Sequence, residues 1–223
     1  MGIEPQGSFL LSSPEMIAIL DYQAGNLTSV KRALDYLGYD STITPQPDEV
    51  LKAERLIFPG VGAAGEAMEN LRKRGLDEAL REFFRSGRPM LGICLGVQIV
   101  FERSEEDGAR CLGMLRGRVV RFPNPLLGRD GVPLKVPHMG WNGVKPKGDH
   151  LLFRGLDPAS EFYFVHSYYP EPEDPEVIVG LTDYGIDFPS AIAHENLWAV
   201  QFHPEKSGRP GLRMLENFCR WRP

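Results

Sequence analysis

Cysteine is scarce in this chain. Its 223 residues hold three, Cys94, Cys111 and Cys219, odd in number and far apart. That excludes a disulfide framework and points to a reducing compartment, so a cytoplasmic protein is expected. Positive charge is also in deficit, with 25 Lys and Arg against 30 Asp and Glu for a net charge of −5. Such a balance gives no general attraction to a phosphate backbone and argues against nucleic-acid binding. No apolar run approaches the roughly 20 residues of a membrane-spanning helix, so no membrane association is expected. The histidines and cysteines never fall at metal-ligand spacing; no metal and no cofactor are expected. Residues 1–15 lack the charged and apolar regions of a signal peptide and are expected to be a tag or loose extension outside the fold.

What remains is a chain with one sizeable core and a regular first half. Residues 16–20 are a continuous apolar run, as in a strand buried on both faces. Residues 21–25 turn, Asn26 can cap a helix, and Gly38 ends it. Strands at 41–44 and 55–58, a tight loop at 59–62, helical stretches at 65–72 and 76–85 and a strand at 89–93 follow. The alternation predicts an α/β fold, a mostly parallel sheet with helices on both faces. From about Leu112 short β-type runs recur at 118–122, 161–169, 177–182, 191–193 and 198–202, before a helix at 209–220. These read as antiparallel strands added to the same domain, residues 16–223. The acidic, proline-rich piece 171–176 reads as a solvated loop. Trp141, Tyr163, Tyr168 and Tyr169 read first as core packing, and His150 and His194 as solvent histidines.

The most informative string is Pro89-Met90-Leu91-Gly92-Ile93-Cys94-Leu95-Gly96-Val97-Gln98. An apolar strand stops at Gly-x-Cys-x-Gly and a helix-compatible stretch, 97–103, follows. This is a nucleophile elbow with sulfur in place of oxygen. A thiol nucleophile needs a base, and the base an orienting acceptor. Gln201-Phe202-His203-Pro204-Glu205-Lys206-Ser207 supplies both around a stiff proline that keeps His203 out of helix. Strand ends at Gly60 and Cys94 fall on the same edge of a parallel sheet, where active sites gather.

Together these motifs resemble the class I (triad) glutamine amidotransferases. Pro59-Gly60-Val61-Gly62, Val136-Pro137-His138-Met139-Gly140-Trp141-Asn142 and Phe164-Val165-His166-Ser167-Tyr168-Tyr169 narrow the resemblance to the glutaminase subunits of imidazole glycerol phosphate synthases, in histidine biosynthesis. The resemblance implies an enzyme that hydrolyses L-glutamine, with Cys94 as nucleophile, His203 as general base and acid, and Glu205 as orienting carboxylate. It implies an oxyanion hole from Leu95 and from Gly60, Val61 and Gly62, and glutamine contacts from Gln98, Glu106, His166, Ser167 and Tyr168. It further implies a heterodimer with a (β/α)₈ barrel cyclase that receives the ammonia, met by Asn26, Trp141, Tyr163 and Lys206. Two positions depart from the pattern: Gln23 stands where glycine is usual, and Ala64 where an aromatic is often found. A related amidotransferase serving another synthase, a cysteine peptidase on a similar sheet, and a non-catalytic docking subunit are the competing readings. Met139 to Asn142 and the intact Cys94, His203 and Glu205 argue against them.

Overall fold

The computed structural model describes residues 16–23 and 25–223; the expectation for residues 1–15 lies outside them. The first half alternates as β1 (Ile17–Leu20), α1 (Leu27–Tyr36), β2 (Ser41–Thr44), α2 (Pro47–Lys52), β3 (Arg55–Gly60), α3 (Ala64–Lys73), α4 (Leu76–Arg85), β4 (Met90–Cys94) and α5 (Leu95–Ile99). Then come β5 (Arg103–Ser104), β6 (Gly117–Arg121), β7 (Leu126–Leu127), β8 (Pro133–Leu134), β9 (His138–Gly143) and β10 (Lys145–Pro146). The chain ends with β11 (Glu161–His166), β12 (Tyr168–Pro172), β13 (Ile178–Asp183), β14 (Asp187–His194), β15 (Leu197–Val200) and α6 (Gly208–Arg220).

The main sheet has the order β10-β13-β14-β15-β4-β3-β1-β2. β2, β1, β3, β4 and β15 run parallel, and β14, β13 and β10 continue antiparallel. Both faces of the inner parallel strands β1, β3, β4 and β15 are covered, which is why they read as largely apolar runs, whereas β2 is the exposed edge. Ala18, Leu20, Leu56, Phe58 and Met90 pack on the face of α2 to α5. Ile17, Ile19, Ile57, Leu91 and Ile93 pack opposite, with α1 and α6. Smaller sheets pair β11 with β9, β12 with β6 and β5, and β7 with β8.

Several boundaries differ from the expected ones. β3 runs on through Pro59 and Gly60, with Gly60 opposite Cys94. The proline is tolerated because β3 pairs with β1 only as far as Ile57, so Pro59 interrupts no ladder on that side. The helix after Cys94 begins at once at Leu95 and stops at Ile99, since Arg103 is needed in β5. The run 161–169 is two strands in two sheets, divided at Ser167. Glu171 and Pro172 are not loop but strand. They pair with Arg118 and Gly117 of β6, and Arg118 Nε lies 2.6 Å from Glu171 Oε2, so the acidic charge is met across the ladder. β9 went unforeseen because Gly140, Asn142 and Gly143 carry little β propensity; its partner β11 supplies the order.

The histidines set aside as solvent groups are half-buried. His150 packs edge-on against Trp198 and accepts from the Leu152 N–H, and His194 stacks on Phe84. Trp141, read first as core, is 54% exposed. Cys111 is an inert thiol, buried and pushed up to about 11 by that burial. Gln23 takes a φ of +66°, the left-handed conformation that favours glycine, so the substitution keeps the turn at some strain. Ala64 is fully buried, and its N–H is used by the site described next.

Candidate active site

Cys94 itself holds a φ of +55° and ψ of −105° between β4 and α5. A non-glycine residue pays for that conformation in strain, of order 1–3 kcal/mol, and keeps it only where its surroundings enforce it. Here the enforcement is close packing of the elbow on β3. A Cβ on Gly96 would lie 2.4 Å from the Phe58 carbonyl oxygen, and one on Gly92 would lie 2.9 Å from the Phe58 ring. The two glycines let α5 fold back onto β3, and the sulfur is left facing a cavity at the carboxyl edge of the sheet.

That cavity has a volume of about 200 Å³. Cys94, Leu95, Val61, Gly62, Gln98, Glu106 and residues 166–168 line it. The structure thus gathers the expected nucleophile, oxyanion segment and glutamine contacts around one hollow. Gly60 stands just behind it, with the Tyr22 hydroxyl 1.9 Å from where a Cβ would go. Tyr22 is fully buried, and among the described residues its hydroxyl meets no partner. Burial, and then the nearby Cys94, push Tyr22 well above the usual phenol range, so it stays protonated. Glu106 reaches from beyond β5 and accepts from the Ala64 N–H at 2.9 Å. Its half-buried carboxyl is raised by desolvation, with the Ala64 N–H opposing. A larger hollow of about 710 Å³ beside Trp198 and Trp221 shares no residue with this one.

His203 comes from the exit of β15, the strand beside β4. Its N–H donates to the Tyr163 carbonyl at 2.9 Å. Ser207 Oγ closes the clamp, donating to the His203 carbonyl at 2.6 Å and accepting from the Tyr163 N–H at 3.0 Å. The imidazole Nδ1 lies 2.8 Å from Glu205 Oε1, with both side chains 2% exposed. Nε2 makes no formal hydrogen bond among the described residues, yet Cys94 is near enough to influence its charge. Burial works against the imidazolium, but the interactions with Cys94 and Glu205 outweigh it and raise His203 to about 10.

The sign of that shift makes a prediction. A histidine raised above its unfolded value of roughly 6.5 binds more protons in the folded state. Its contribution to stability is full below pH 6.5 and is lost as pH rises through about 10. The Glu205→Gln variant is therefore expected to show a shallower loss of stability between pH 7 and 10, and a His203 titration at lower pH. Denaturant melts across that range and imidazole NMR shifts check both. An unchanged His203 titration would mean that Glu205 does not hold the proton in place.

The expected partner-facing residues fall outside the cavity. Trp141 and Tyr163 meet edge to face at 6.1 Å, and Lys206 Nζ stands 5.8 Å over the Tyr163 ring. This exposed patch is one residue removed from His203, whose ring centroid is 6.4 Å from that of Tyr163. Asn26 caps α1, accepting from the Ser29 N–H, and α1 packs against the 204–206 turn. Reasoning from the sequence missed Gln201 and Val165, which touch the sulfur, and His138, which touches His166. Gln201 and His138 stood in motifs already singled out, so the signal was present; their side-chain directions were not.

The family model "Glutamine amidotransferase class-I" matches residues 18–221. The chain belongs to that family. Among curated relatives of this amidotransferase is the imidazole glycerol phosphate synthase subunit HisH of Desulfovibrio desulfuricans, 54% identical over 203 residues, 91% of this chain and 93% of that one. The protein of the same name from Methylococcus capsulatus is 47% identical over 211 residues, covering 93% and 97%. Among solved structures, PurLQS from Thermotoga maritima superposes with a TM-score of 0.72 at 14% identity, over 93% of this chain and 98% of that one. A glutamine amidotransferase from the same organism gives 0.60 at 17%, over 93% and 84%. At those identities the two structures speak for the fold alone.

Proposed function

We propose that this chain is the glutaminase subunit of an imidazole glycerol phosphate synthase, in which Cys94, His203 and Glu205 hydrolyse glutamine and a barrel cyclase receives the ammonia. The observation that carries the chemistry is the buried His203–Glu205 pair beside a strained cysteine at the head of a helix. Close relatives named as the same subunit support the pathway.

The reaction follows from the charges. The Cys94 thiolate attacks the glutamine carboxamide carbon, and the Leu95 N–H with one N–H of the 60–62 segment holds the tetrahedral oxyanion. Losing one such donor typically costs about 10²–10³ in turnover. His203 protonates the departing nitrogen, and ammonia leaves behind a glutamyl thioester. Water gives its proton to His203 and its oxygen to the acyl carbon. Glutamate leaves and the thiolate is restored. Glu205 keeps the Nδ1 proton in place and stabilises the imidazolium. Glu106 carries the charge suited to the substrate ammonium, and Gln98 and residues 166–168 shape the rest of the pocket. Asn26, Trp141, Tyr163 and Lys206 form the surface offered to the cyclase, in a cytoplasmic heterodimer.

The test uses 6-diazo-5-oxonorleucine, an electrophile built on glutamine, with the cyclase present, followed by peptide mass mapping. Label on Cys94 alone is expected. Label on Cys111 or Cys219, or none, would favour a docking subunit without chemistry of its own.

A further inference from the structure

A backbone carbonyl can only accept, and the Tyr168 carbonyl accepts twice. His166 Nδ1 lies 2.8 Å from it and Gln98 Nε2 3.0 Å. Each contact fixes the polarity of everything beyond it. On one arm, His166 must carry its proton on Nδ1. Burial drives His166 down to about 3 and His138 down to about 4, so both rings are neutral and each has one acceptor nitrogen. His166 Nε2 therefore accepts from His138 Nδ1 at 3.2 Å. His138 Nε2 in turn accepts from Asn142 Nδ2 at 3.4 Å. Asn142 is oriented independently, since Nδ2 also donates to the Asp183 carbonyl at 2.9 Å and Oδ1 accepts from the Gly143 N–H at 2.8 Å. Two separately fixed ends agree on one direction.

On the other arm, the second proton of Gln98 Nε2 goes to Gln201 Oε1 at 3.1 Å. Gln201 has one way left to face. Its Nε2 points at Cys94 Sγ, 3.8 Å away. Gln201 is fully buried, so no bulk solvent competes for that donor. The sulfur also lies 4.0 Å from the Val165 carbonyl. A carbonyl serves a thiol proton and repels a thiolate, whereas an amide N–H suits the thiolate.

We propose that Gln201 is a further residue of the reaction centre: its amide N–H donates to the Cys94 sulfur, in an orientation locked by the Tyr168 carbonyl through a network that begins at Asn142 beside the exposed Trp141. The proposal rests on Cys94 being the nucleophile. Gln201 holds the thiolate from one side while His203, two residues on, faces it with a proton. Deprotonation releases the sulfur from Val165 and leaves the amide as its neutral donor. The His166–His138 arm ties the shared Tyr168 carbonyl to β9, so a displacement of Asn142 reaches the sulfur through oriented hydrogen bonds.

The test is the rate of Cys94 alkylation by iodoacetamide at pH 7.5 in the assembled enzyme, with kcat and KM for glutamine beside it. Gln201→Glu keeps the shape and still accepts from Gln98 but presents oxygen to the sulfur. It is expected to slow alkylation by about tenfold or more, the scale of a hydrogen bond to a charged group. kcat should fall with it and KM should hold within about twofold. Gln201→Leu, which removes the donor without adding an anion, should fall between Gln201→Glu and the native rate. Gln201→Leu alkylated at the native rate would mean that the amide donates nothing to the sulfur, and that result would overturn the proposal. The unaltered protein gives a second reading: ¹⁵N NMR should show His138 and His166 both protonated on Nδ1 at pH 7. An Nε2–H tautomer at either would break the link from Asn142 to the Tyr168 carbonyl and overturn that half of the proposal even if the variants failed to fold. Labelling of native Cys94 by the glutamine analogue separates the two claims. Label on native Cys94 together with a native alkylation rate in Gln201→Glu would defeat this inference and leave the glutaminase reading standing.

Discussion

Replacing Cys94 with alanine is expected to abolish glutamine hydrolysis, with a loss of up to about 10⁶ in turnover, the scale of removing a triad nucleophile. The assembled synthase should still form product from free ammonium. The first expectation follows from chemistry: Cys111 is buried elsewhere and held protonated, and Ser167, which also lines the cavity, has beside it only His166, whose two ring nitrogens are engaged by the Tyr168 carbonyl and His138. The second follows from packing. The Cys94 side chain is small, and its loss leaves β4, α5 and the Gly60 register untouched. Steady-state assays with glutamine and with ammonium as alternative nitrogen donors give the two numbers. Parallel loss of both activities would mean that Cys94 maintains the assembly. Retention of glutamine use would remove Cys94 from the mechanism.

The parts of this site that were legible in the sequence share a physical property: each is set by its immediate neighbours in the chain. Gly92 and Gly96 around Cys94 announce a turn too tight for side chains, and the geometry bears this out in contacts with Phe58. Pro204 keeps His203 and Glu205 on either side of a rigid link, and the 2.8 Å pair follows. The continuous apolar runs of β1, β3 and β4 declare two covered faces. What stayed hidden depends on pairing between distant segments. β9 has weak propensity and exists because β11 lies beside it. Glu171 reads as loop until Arg118 of β6 is placed across from it. The inward turn of Gln201 is fixed by Tyr168, in a different sheet, through Gln98. Short-range conformation can be read along the chain; the direction of a buried amide cannot, because its reasons lie elsewhere.

Gly96→Ala should be among the most damaging single changes available outside the proposed triad. The added methyl would sit 2.4 Å from the Phe58 carbonyl oxygen, a backbone atom in the middle of the sheet that has no rotamer with which to yield. Either α5 lifts from β3 or β3 shifts, and overpacking of this kind typically costs 1–3 kcal/mol. For a domain of this size, the upper end of that range corresponds to a fall in melting temperature of roughly 6–12 °C. Activity should fall further than stability. Lifting α5 moves Leu95 and Gln98 together, shifting β3 moves Gly60 and Val61, and either separates the proposed oxyanion donors from the sulfur. A misplacement of about 1 Å can cost 10²-fold. Gly143→Ala provides the control. It lies in a strand with nothing within 4 Å of the new methyl, and its effect should stay within about 0.5 kcal/mol. Thermal melts and glutamine turnover of the two variants decide the matter. If Gly96→Ala melted with the native protein, the elbow could not be resting on β3 as closely as the geometry requires, and the strain at Cys94 would need another source.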